Sequence, residues 1–296
     1  MRKSNYFFIV TILLALILGF TTKSVSAETN TIKTAYDIPL NITYYDAIVP
    51  DNSYVDVYYK VYLEEGEIYS IILRNENTPT DEWDRLDSYL CYGDNTGSQD
   101  TIKYSDCGDV LKTLYKPSYS GYYYIKNSYF YPEINIKYSI HISKYDVKGT
   151  IVTDEYGDTY SILDNDTMEL IKSGSQKSKE FSVSGYATFN TINDYDTIKS
   201  LWFDVISIGQ NAFKGNTYLK EVYLTDGIQK IKSGAFQNCK NLKYVKFYRY
   251  SECELNYVGV NAFKGTKKGI KFSFPDKVKK YKKLFKNCGA KKPKYY

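Results

Sequence analysis

The amino-acid sequence predicts a mainly β protein. An N-terminal antiparallel β-sandwich or jelly roll is followed by a short solenoid of repeats with a C-terminal capping helix. Short segments with alternating apolar residues fill the first half, and one pattern recurs at a fixed interval in the second half. Apolar residues at helical spacing lie near the C-terminus. A period of twenty-odd residues is typical of solenoids, because a unit of that size cannot bury its own apolar face.

These patterns divide the 296 residues into five segments. They are a signal peptide (1–27), the sandwich (28–146), a β cap at the start of the solenoid (147–200), the repeats (201–275) and a lysine-rich C-terminal cap (276–296). A cap is expected because an open solenoid end would expose its core.

The first residues have the organisation of a secretory signal peptide. A basic start, Met1–Asn5, precedes an uncharged and mostly apolar run of 14 residues, Phe7–Phe20, and Val25–Ala27 offers small residues for cleavage. Because the run is too short to cross a bilayer, an N-terminal anchor is the less favoured alternative. We expect a mature protein that is secreted and extracellular, or held at the cell surface without covalent attachment, with no transmembrane anchor after cleavage.

Charge is distributed unevenly along the chain. Residues 28–186 contain 14 basic and 26 acidic side chains, a net charge of −12, whereas residues 187–296 contain 22 basic and 8 acidic ones, a net charge of +14. Opposite signs in the two halves favour two domains that attract each other or attract different partners.

Alternating residues predict the strands of the acidic half. Val55–Leu63 has period two, and Ile68–Leu73 follows it after the turn at Glu64–Glu67. Ile136–Ile142 ends the set. Further strands are expected at Ser88–Tyr92, Thr101–Tyr104, Leu111–Tyr115 and Tyr122–Lys126. Strands and turns at this spacing are typical of an antiparallel sandwich or jelly roll.

The order of these segments resembles the bacterial pre-peptidase C-terminal domain. The resemblance is carried by Leu63–Leu73, Asp87–Leu90, Pro117–Ile125 and Tyr138–Ile142. It implies a small jelly roll that serves as an accessory binding or secretion module. The peptidase that usually accompanies such a domain is not recognisable in this sequence.

The repeats are defined by a shared apolar core. The first two copies are offset by 23 residues, and the third follows the second by 27. Their predicted core residues are Ile208, Ala212, Phe213, Leu219, Val222 and Leu224; Ile231, Ala235, Phe236, Leu242, Val245 and Phe247; and Val258, Ala262, Phe263, Phe272 and Phe274. The short alternating strands should stack into one narrow sheet, with the Ala-Phe pairs where the chain returns.

Two of these segments, Val205–Asn216 and Lys230–Leu242, closely resemble the bacterial BspA-like leucine-rich repeats. The resemblance implies a surface protein built as a repeat solenoid. The second copy departs from the pattern, with Lys232 where the other two have Gly209 and Gly259.

The tail predicts a capping helix. Val278, Tyr281, Leu284 and Phe285 lie at helical spacing between Pro275 and Gly289. Nine lysines from 277 to 294 surround them. They predict either the solvated face of a cap, which we favour, or a patch for an anionic cell-wall polymer or nucleic acid.

We identify no catalytic residues, no metal site and no cofactor. The chain lacks the motifs of serine hydrolases, zinc peptidases and nucleotide-binding proteins. It has a single histidine, His141, and five cysteines, of which Cys91 and Cys107 are free to pair and Cys239 is expected in the core. Acidic side chains in the loops 81–84 and 94–100 could bind calcium, although acids in loops are more often only solvated.

The sequence therefore predicts a protein that is not an enzyme. We expect it to bind an extracellular protein or glycan, without specific nucleic-acid binding, through the side of the repeat strands that faces away from the core. The ligand-binding residues predicted there are Glu221, Tyr223, Tyr244, Lys246, Lys271 and Ser273. The alternative is an accessory module of an exported degradative system that binds carbohydrate or protein through the sandwich.

Overall fold

The computed structural model contains two compact units. It describes residues 21–22, 35–48, 55–76, 86–92, 99–100, 110–129, 136–174, 177–189, 192, 197–199, 201–248, 253–275 and 278–296. Most of the predicted signal peptide, the strand predicted at Thr101–Tyr104 and most of the acidic loops lie outside these residues.

Ten strands come from the first half of the chain. They are β1 (Thr21–Thr22), β2 (Tyr36–Asp37), β3 (Thr43–Ile48), β4 (Val55–Leu63), β5 (Tyr69–Asn75), β6 (Leu86–Tyr92), β7 (Gln99–Asp100), β8 (Val110–Tyr115), β9 (Gly121–Tyr129) and β10 (Ile136–Lys144).

The remaining elements are mostly shorter. The strands are β11 (Ile151–Thr153), β12 (Thr159–Ile162), β13 (Thr167–Lys172), β14 (Glu180–Ser182), β15 (Tyr186–Ala187), β16 (Thr197–Lys199), β17 (Phe203–Ile208), β18 (Glu221–Leu224), β19 (Lys230–Ile231), β20 (Tyr244–Phe247), β21 (Tyr257–Val258), β22 (Lys271–Ser273) and β23 (Lys294–Tyr295). Helix α1 (Val278–Lys282) and a 3-10 helix (Leu284–Asn287) lie between β22 and β23. The mainly β class predicted from the sequence is confirmed.

The first unit contains two sheets. One has the order β1-β3-β10-β5-β8-β16 and the other the order β2-β4-β9-β6-β7. Their long pairs are antiparallel, as in β4 against β9 and β10 against β5. Strand β16 joins β8 in parallel, so Asn193–Leu201 belongs to the first unit. The boundaries predicted from the sequence place residues 193–200 in the solenoid cap and Leu201 in the repeats, because the pairing of β16 with a strand about 85 residues earlier has no local signal.

The core of this unit is rich in tyrosine. Tyr59, Tyr138 and Tyr123 are each at most 1% exposed and pack among Val, Leu and Ile side chains from the strands. The Tyr59 hydroxyl donates to the carboxylate of the buried Asp46 at 2.6 Å and also contacts the Tyr138 hydroxyl. This core therefore contains a buried polar cluster among its apolar side chains.

The second unit also contains two sheets. One has the order β11-β12-β13-β17-β19-β21, with β15 on β17, and the other the order β14-β18-β20-β22-β23. A turn around Tyr156–Asp158 connects β11 and β12, which pair as an antiparallel hairpin. From β13 to β17 and onward the main path is parallel.

The repeats occupy the same place in successive coils. Ile208 pairs with Ile231 and Ile231 with Val258, while Val222 pairs with Val245 and Val245 with Phe272. These partners have the 23- and 27-residue offsets seen in the sequence. All the predicted repeat-core residues are buried.

The Ala-Phe pairs stack along the coils. The Phe213 amide donates to the Ala235 carbonyl at 2.8 Å, and the Phe236 amide donates to the Ala262 carbonyl at 2.8 Å. The phenyl rings are nearly parallel, with centroids 4.9 Å apart for Phe213–Phe236 and 5.1 Å apart for Phe236–Phe263. Each coil therefore covers the aromatic core of the previous one.

Two turn positions in each coil have positive φ, and Asn or Gly occupies each one. The first position holds Asn211, Gly234 and Asn261, and the second holds Gly215, Asn238 and Gly265. These residue types tolerate left-handed backbone best. The turns thus impose a second repeating constraint, in addition to the apolar core.

Lys232, which replaces the glycine found in the other two copies, forms an ion pair. The Lys232 ammonium lies 2.6 Å from the Glu169 carboxylate, which also accepts a hydrogen bond from the Ser207 hydroxyl at 2.7 Å. Glu169 is only 7% exposed. The lysine therefore stabilises a largely buried charge that would otherwise be costly.

Candidate binding surface

The candidate surface is the outward side of the five-stranded sheet. In β18 and β20 the residues alternate between buried and half-buried, so one set of side chains packs inward and the other faces outward. We call the outward set the repeat face. It consists of the six predicted residues, Glu221, Tyr223, Tyr244, Lys246, Lys271 and Ser273.

Strand register arranges these six residues in two rows. Glu221 pairs with Tyr244 and Tyr244 with Lys271, which forms the first row. Tyr223, Lys246 and Ser273 form the second row in the same way. Parallel neighbours lie about 4.8 Å apart, so side chains in one row are within contact distance.

Glu221 is the centre of a polar network. Its carboxylate lies 3.0 Å from the Lys246 ammonium, accepts a hydrogen bond from the Tyr223 hydroxyl at 3.0 Å, and lies 3.5 Å from the Lys243 ammonium. The hydrogen bond from Lys246 is the main reason why the pKa of Glu221 is lowered, and the same bond raises the pKa of Lys246. Both groups are therefore held in their charged forms.

Lysines alternate with tyrosine rings across the face. The Lys246 ammonium lies 4.8 Å from the centre of the Tyr223 ring and 5.4 Å from that of Tyr244. The Lys271 ammonium lies 5.0 Å from the centre of the Tyr244 ring and 5.7 Å from that of Tyr296. These distances are within the range of cation–π attraction. The contacts hold the rings and ammonium groups in place before any ligand arrives.

Several members of this surface were not predicted from the sequence. Lys243 contacts both Glu221 and Tyr244, Tyr248 stacks on Tyr223, and Tyr296 lies beside Lys271. Strand β23 was not predicted, because a two-residue strand after a helix has no periodicity of its own. The Tyr295-Tyr296 pair after the helical pattern was the available signal, since Tyr favours strands.

The first unit has a different concave surface, which we call the sandwich cleft. It has a volume of about 460 Å³ and is bordered by Tyr62, Tyr122, Asp37, Lys60 and Lys144, among others. The two tyrosine rings are about half exposed and meet edge to face at 5.5 Å. Lys60 pairs with Asp37 at 3.3 Å. The cleft thus combines exposed aromatic rings with charges of both signs.

Three cysteine side chains are described, and all are buried: Cys239, Cys253 and Cys288. Of these, Cys239 and Cys288 are free thiols. Burial raises the pKa of Cys239 to about 12. The side chains of Cys91 and Cys107 lie outside the described residues, so their pairing stays a prediction. Within the described ranges, no three His, Cys, Asp or Glu residues are grouped as metal ligands would be. A search of the described residues found no helix that could span a membrane.

Comparison with known proteins identifies the repeat region. Residues 182–295 match the family described as BspA type Leucine rich repeat region (6 copies). This match confirms the resemblance to BspA-like leucine-rich repeats predicted from the sequence. The match begins before the first repeat recognised in the sequence and extends through the lysine-rich tail. No curated protein matches the chain.

Several solved structures are similar to a portion of the chain. A leucine rich cell surface protein from Faecalibacterium prausnitzii A2-165 is 22% identical over 39% of this chain and 28% of its own, with a TM-score of 0.33. A leucine-rich repeat protein from Bacteroides capillosus is 20% identical over 50% of this chain and 99% of its own, with a TM-score of 0.37.

A third solved structure is the pre-peptidase C-terminal domain of the collagenase from Bacillus anthracis. It is 17% identical over 38% of this chain and 99% of its own, with a TM-score of 0.28. The present chain thus spans about 28% of the length of the Faecalibacterium protein and nearly all of the other two.

Proposed function

We propose that this chain is a secreted, non-enzymatic binding protein of the cell surface that recognises an extracellular protein or glycan through the repeat face. The observation that carries the proposal is the alternation of tyrosine rings and lysines on a rigid sheet. Tyrosine contributes a large contact area at low entropic cost, and it is over-represented among residues that dominate binding energy. The BspA-type repeat region supports a role in protein binding or adhesion.

The surface is preorganised for such a role. Tyr223 is held by Tyr248 and Glu221, while Tyr244 is held between Lys246 and Lys271. Side chains that are already ordered lose less conformational entropy on binding, so more of the contact energy contributes to affinity.

The test is a triple substitution, Tyr223→Ser, Tyr244→Ser and Lys246→Ser. We expect capture of cell-surface components by the mature protein to be lost, with little change in melting temperature. The matched control removes the same residue types from the other sheet: Tyr186→Ser, Tyr257→Ser and Lys230→Ser. These three are exposed on β15, β21 and β19. Equal capture by both variants and the parent would show that the repeat face is not the binding site.

The sandwich cleft supports a second candidate function. Under this second proposal, the first unit is the binding part of an exported system that degrades polysaccharide or protein. The specific observation is the exposed edge-to-face pair Tyr62–Tyr122 beside a cavity of about 460 Å³. Aromatic rings with a few polar groups in a concave site are typical of small-ligand recognition.

A glycan array separates the two candidates. Tyr62→Ser with Tyr122→Ser should abolish glycan binding if the cleft is the site, and should leave it unchanged if the repeat face is the site. The triple variant of the repeat face should give the opposite result. The cleft variant should melt like the parent, because the two substituted side chains are about half exposed. The repeat-face variant should also melt like the parent.

A further inference from the structure

Lysines recur at one end of the five-stranded sheet in every coil. Each strand of the sheet, β14, β18, β20, β22 and β23, is preceded within four residues by one or two lysines. We call this set the lysine ridge. Its nine members are Lys177, Lys179, Lys220, Lys240, Lys243, Lys267, Lys268, Lys291 and Lys292. Eight are exposed, and Lys243 is half-buried.

Backbone hydrogen bonds align these lysine-bearing turns from coil to coil. The Lys220 amide donates to the Lys179 carbonyl at 2.7 Å, and the Lys243 amide donates to the Lys220 carbonyl at 2.9 Å. Near the β23 edge of the sheet, the Gly269 amide donates to the Lys291 carbonyl at 2.9 Å. This bond places the pairs Lys267–Lys268 and Lys291–Lys292 on adjoining turns. With strands about 4.8 Å apart, the ridge extends for about 19 Å.

The fold gives no reason for this arrangement. Like charges at adjacent register positions repel and destabilise a sheet. Among the described residues, Lys243 is the one member of the ridge with a carboxylate within 4.0 Å, the Glu221 carboxylate at 3.5 Å. Glu180, which directly follows Lys179, is exposed. Most of the positive charge on the ridge is therefore not neutralised by the part of the unit that the structure describes.

We propose that the lysine ridge binds a linear anionic polysaccharide laid across the coils. A row of cations that crosses successive coils complements a chain with repeating negative groups, and release of the polymer's counterions drives binding. The turns that carry the ridge lysines contain no arginine. Arginine forms paired, directional hydrogen bonds, whereas lysine acts as a point charge that accepts many geometries. Lysines alone therefore favour recognition of charge density over recognition of one chemical group.

An acidic glycan fits the ridge better than a nucleic acid does. Proteins that hold single-stranded nucleic acids place aromatic rings among the cations so that successive bases can stack. Tyr218, which is 54% exposed and precedes Lys220, is the one exposed ring in the lysine-bearing turns described. The predicted export of the chain also favours an extracellular polymer. This proposal does not depend on the role of the repeat face.

The experiment measures binding of the mature protein to heparin as a model acidic polysaccharide, at several salt concentrations, with neutral dextran as the blank. The ridge variant carries Lys220→Gln, Lys267→Gln, Lys268→Gln, Lys291→Gln and Lys292→Gln. We expect its affinity at about 50 mM salt to fall at least about tenfold, with a salt dependence shallower by about 3 in logarithmic slope. The repeat-face triple variant should keep most of the heparin affinity.

Two controls make the result specific. The charge-matched variant carries Lys214→Gln, Lys230→Gln, Lys279→Gln, Lys283→Gln and Lys286→Gln, which are exposed lysines that do not belong to the ridge. It should bind heparin within about twofold of the parent. Changing the five ridge lysines to arginine keeps the charge and should restore binding, even if the glutamine variant is less stable.

Three outcomes would overturn the proposal. The first is a parent protein without salt-dependent heparin binding. The second is an equal loss of affinity in the two glutamine variants, which would show that net charge alone matters. The third is tighter binding of single-stranded DNA of equal charge through the same lysines, which would assign the ridge to nucleic acid.

Discussion

The two units bury aromatic side chains in different ways. In the first unit the largest buried side chains include Tyr59, Tyr69, Tyr123 and Tyr138, which converge from strands far apart in the sequence. The Tyr59 hydroxyl has its partners inside the core, where it donates to Asp46 and contacts the Tyr138 hydroxyl. Position and polarity must both be right in such a core.

In the second unit the aromatic core is mainly phenylalanine, stacked on the same residue of the next coil. Phe213, Phe236 and Phe263 form one column, and Phe247 stacks on Phe274 at 5.0 Å. These partners are 23 or 27 residues apart, so one rule places them all. The contrast teaches that a repeated core is determined by its period, whereas the core of the sandwich depends on its whole topology.

The largest expected effect comes from breaking the phenylalanine column. Phe236→Ala removes a fully buried ring with a parallel neighbour on each side, so the free energy of unfolding of the repeat unit should fall by about 3–5 kcal/mol. Hydrogen–deuterium exchange resolved by segment should show faster exchange throughout the coils and little change in the first unit. Tyr218→Ala, which removes an exposed ring, is the control. A loss of protection shared equally by both units would contradict the contrast.

The next effect tests how closely the coils approach. A methyl group on Gly259 would meet the Ser233 amide nitrogen and, at 2.7 Å, the Lys232 carbonyl carbon, so Gly259→Ala should cost about 2–3 kcal/mol. Gly227→Ala is the control, because its methyl group would have no neighbour within 4 Å. Thermal melting of the two variants provides the measurement. Equal melting temperatures would mean that the coils can separate without cost.

A third substitution tests the polar cluster of the sandwich. Tyr59→Phe keeps the ring but removes the hydrogen bond to the buried Asp46, and should cost about 1–2 kcal/mol in urea denaturation. Tyr69→Phe is the matched control, since its hydroxyl accepts a hydrogen bond from the backbone amide of Glu64 near the surface. A smaller loss in Tyr59→Phe than in Tyr69→Phe would argue against a special role for the cluster.

The same cluster predicts sensitivity to alkali. Burial is the main reason why the pKa values of Tyr44, Tyr59 and Tyr138 are raised above 10. Neutral tyrosine is favoured in the folded state, so this stabilisation is complete below the unfolded pKa of about 10 and declines as the pH rises from there toward the folded pKa values. Denaturation between pH 9 and pH 11 should show the loss, and Tyr59→Phe should reduce its steepness.

The smallest expected effect is at the repeat face. Glu221→Gln weakens an ion pair whose lysine partner, Lys246, is 40% exposed, so the cost should stay below about 1 kcal/mol. Because the pKa of Glu221 is lowered, its contribution is present above the unfolded pKa and is lost as the pH falls through the folded value. Melting at pH 7 and pH 3 should therefore differ less for the variant than for the parent. An effect as large as that of Phe236→Ala would mean that the network stabilises the fold.

Much of the fold was predictable because it depends on local patterns. The alternation in Val55–Leu63 and Ile136–Ile142 located β4 and β10, and the 23- and 27-residue offsets located the parallel ladders. Strand β16 was not assigned to the sandwich, because a three-residue strand that pairs in parallel with β8 leaves no pattern near itself. Strand β23 was missed for the same reason.

The candidate surface was predictable only in part. Side-chain alternation was enough to place Glu221, Tyr223 and Lys246 on one side of the sheet. Their binding role stays a prediction. The contacts of Lys243, Tyr248 and Tyr296 with that surface depend on where neighbouring coils place their side chains, which alternation within one strand does not specify.

The sequence by itself determined the period and the apolar core of each coil. The core pattern belongs to a single coil, and it recurs in each copy at the same positions. Only the tertiary structure decided how Glu221 is shared among Tyr223, Lys243 and Lys246, and how lysines from five segments line up in one ridge. The physical reason is that such contacts form between coils, so they depend on register and on side-chain reach across about 5 Å.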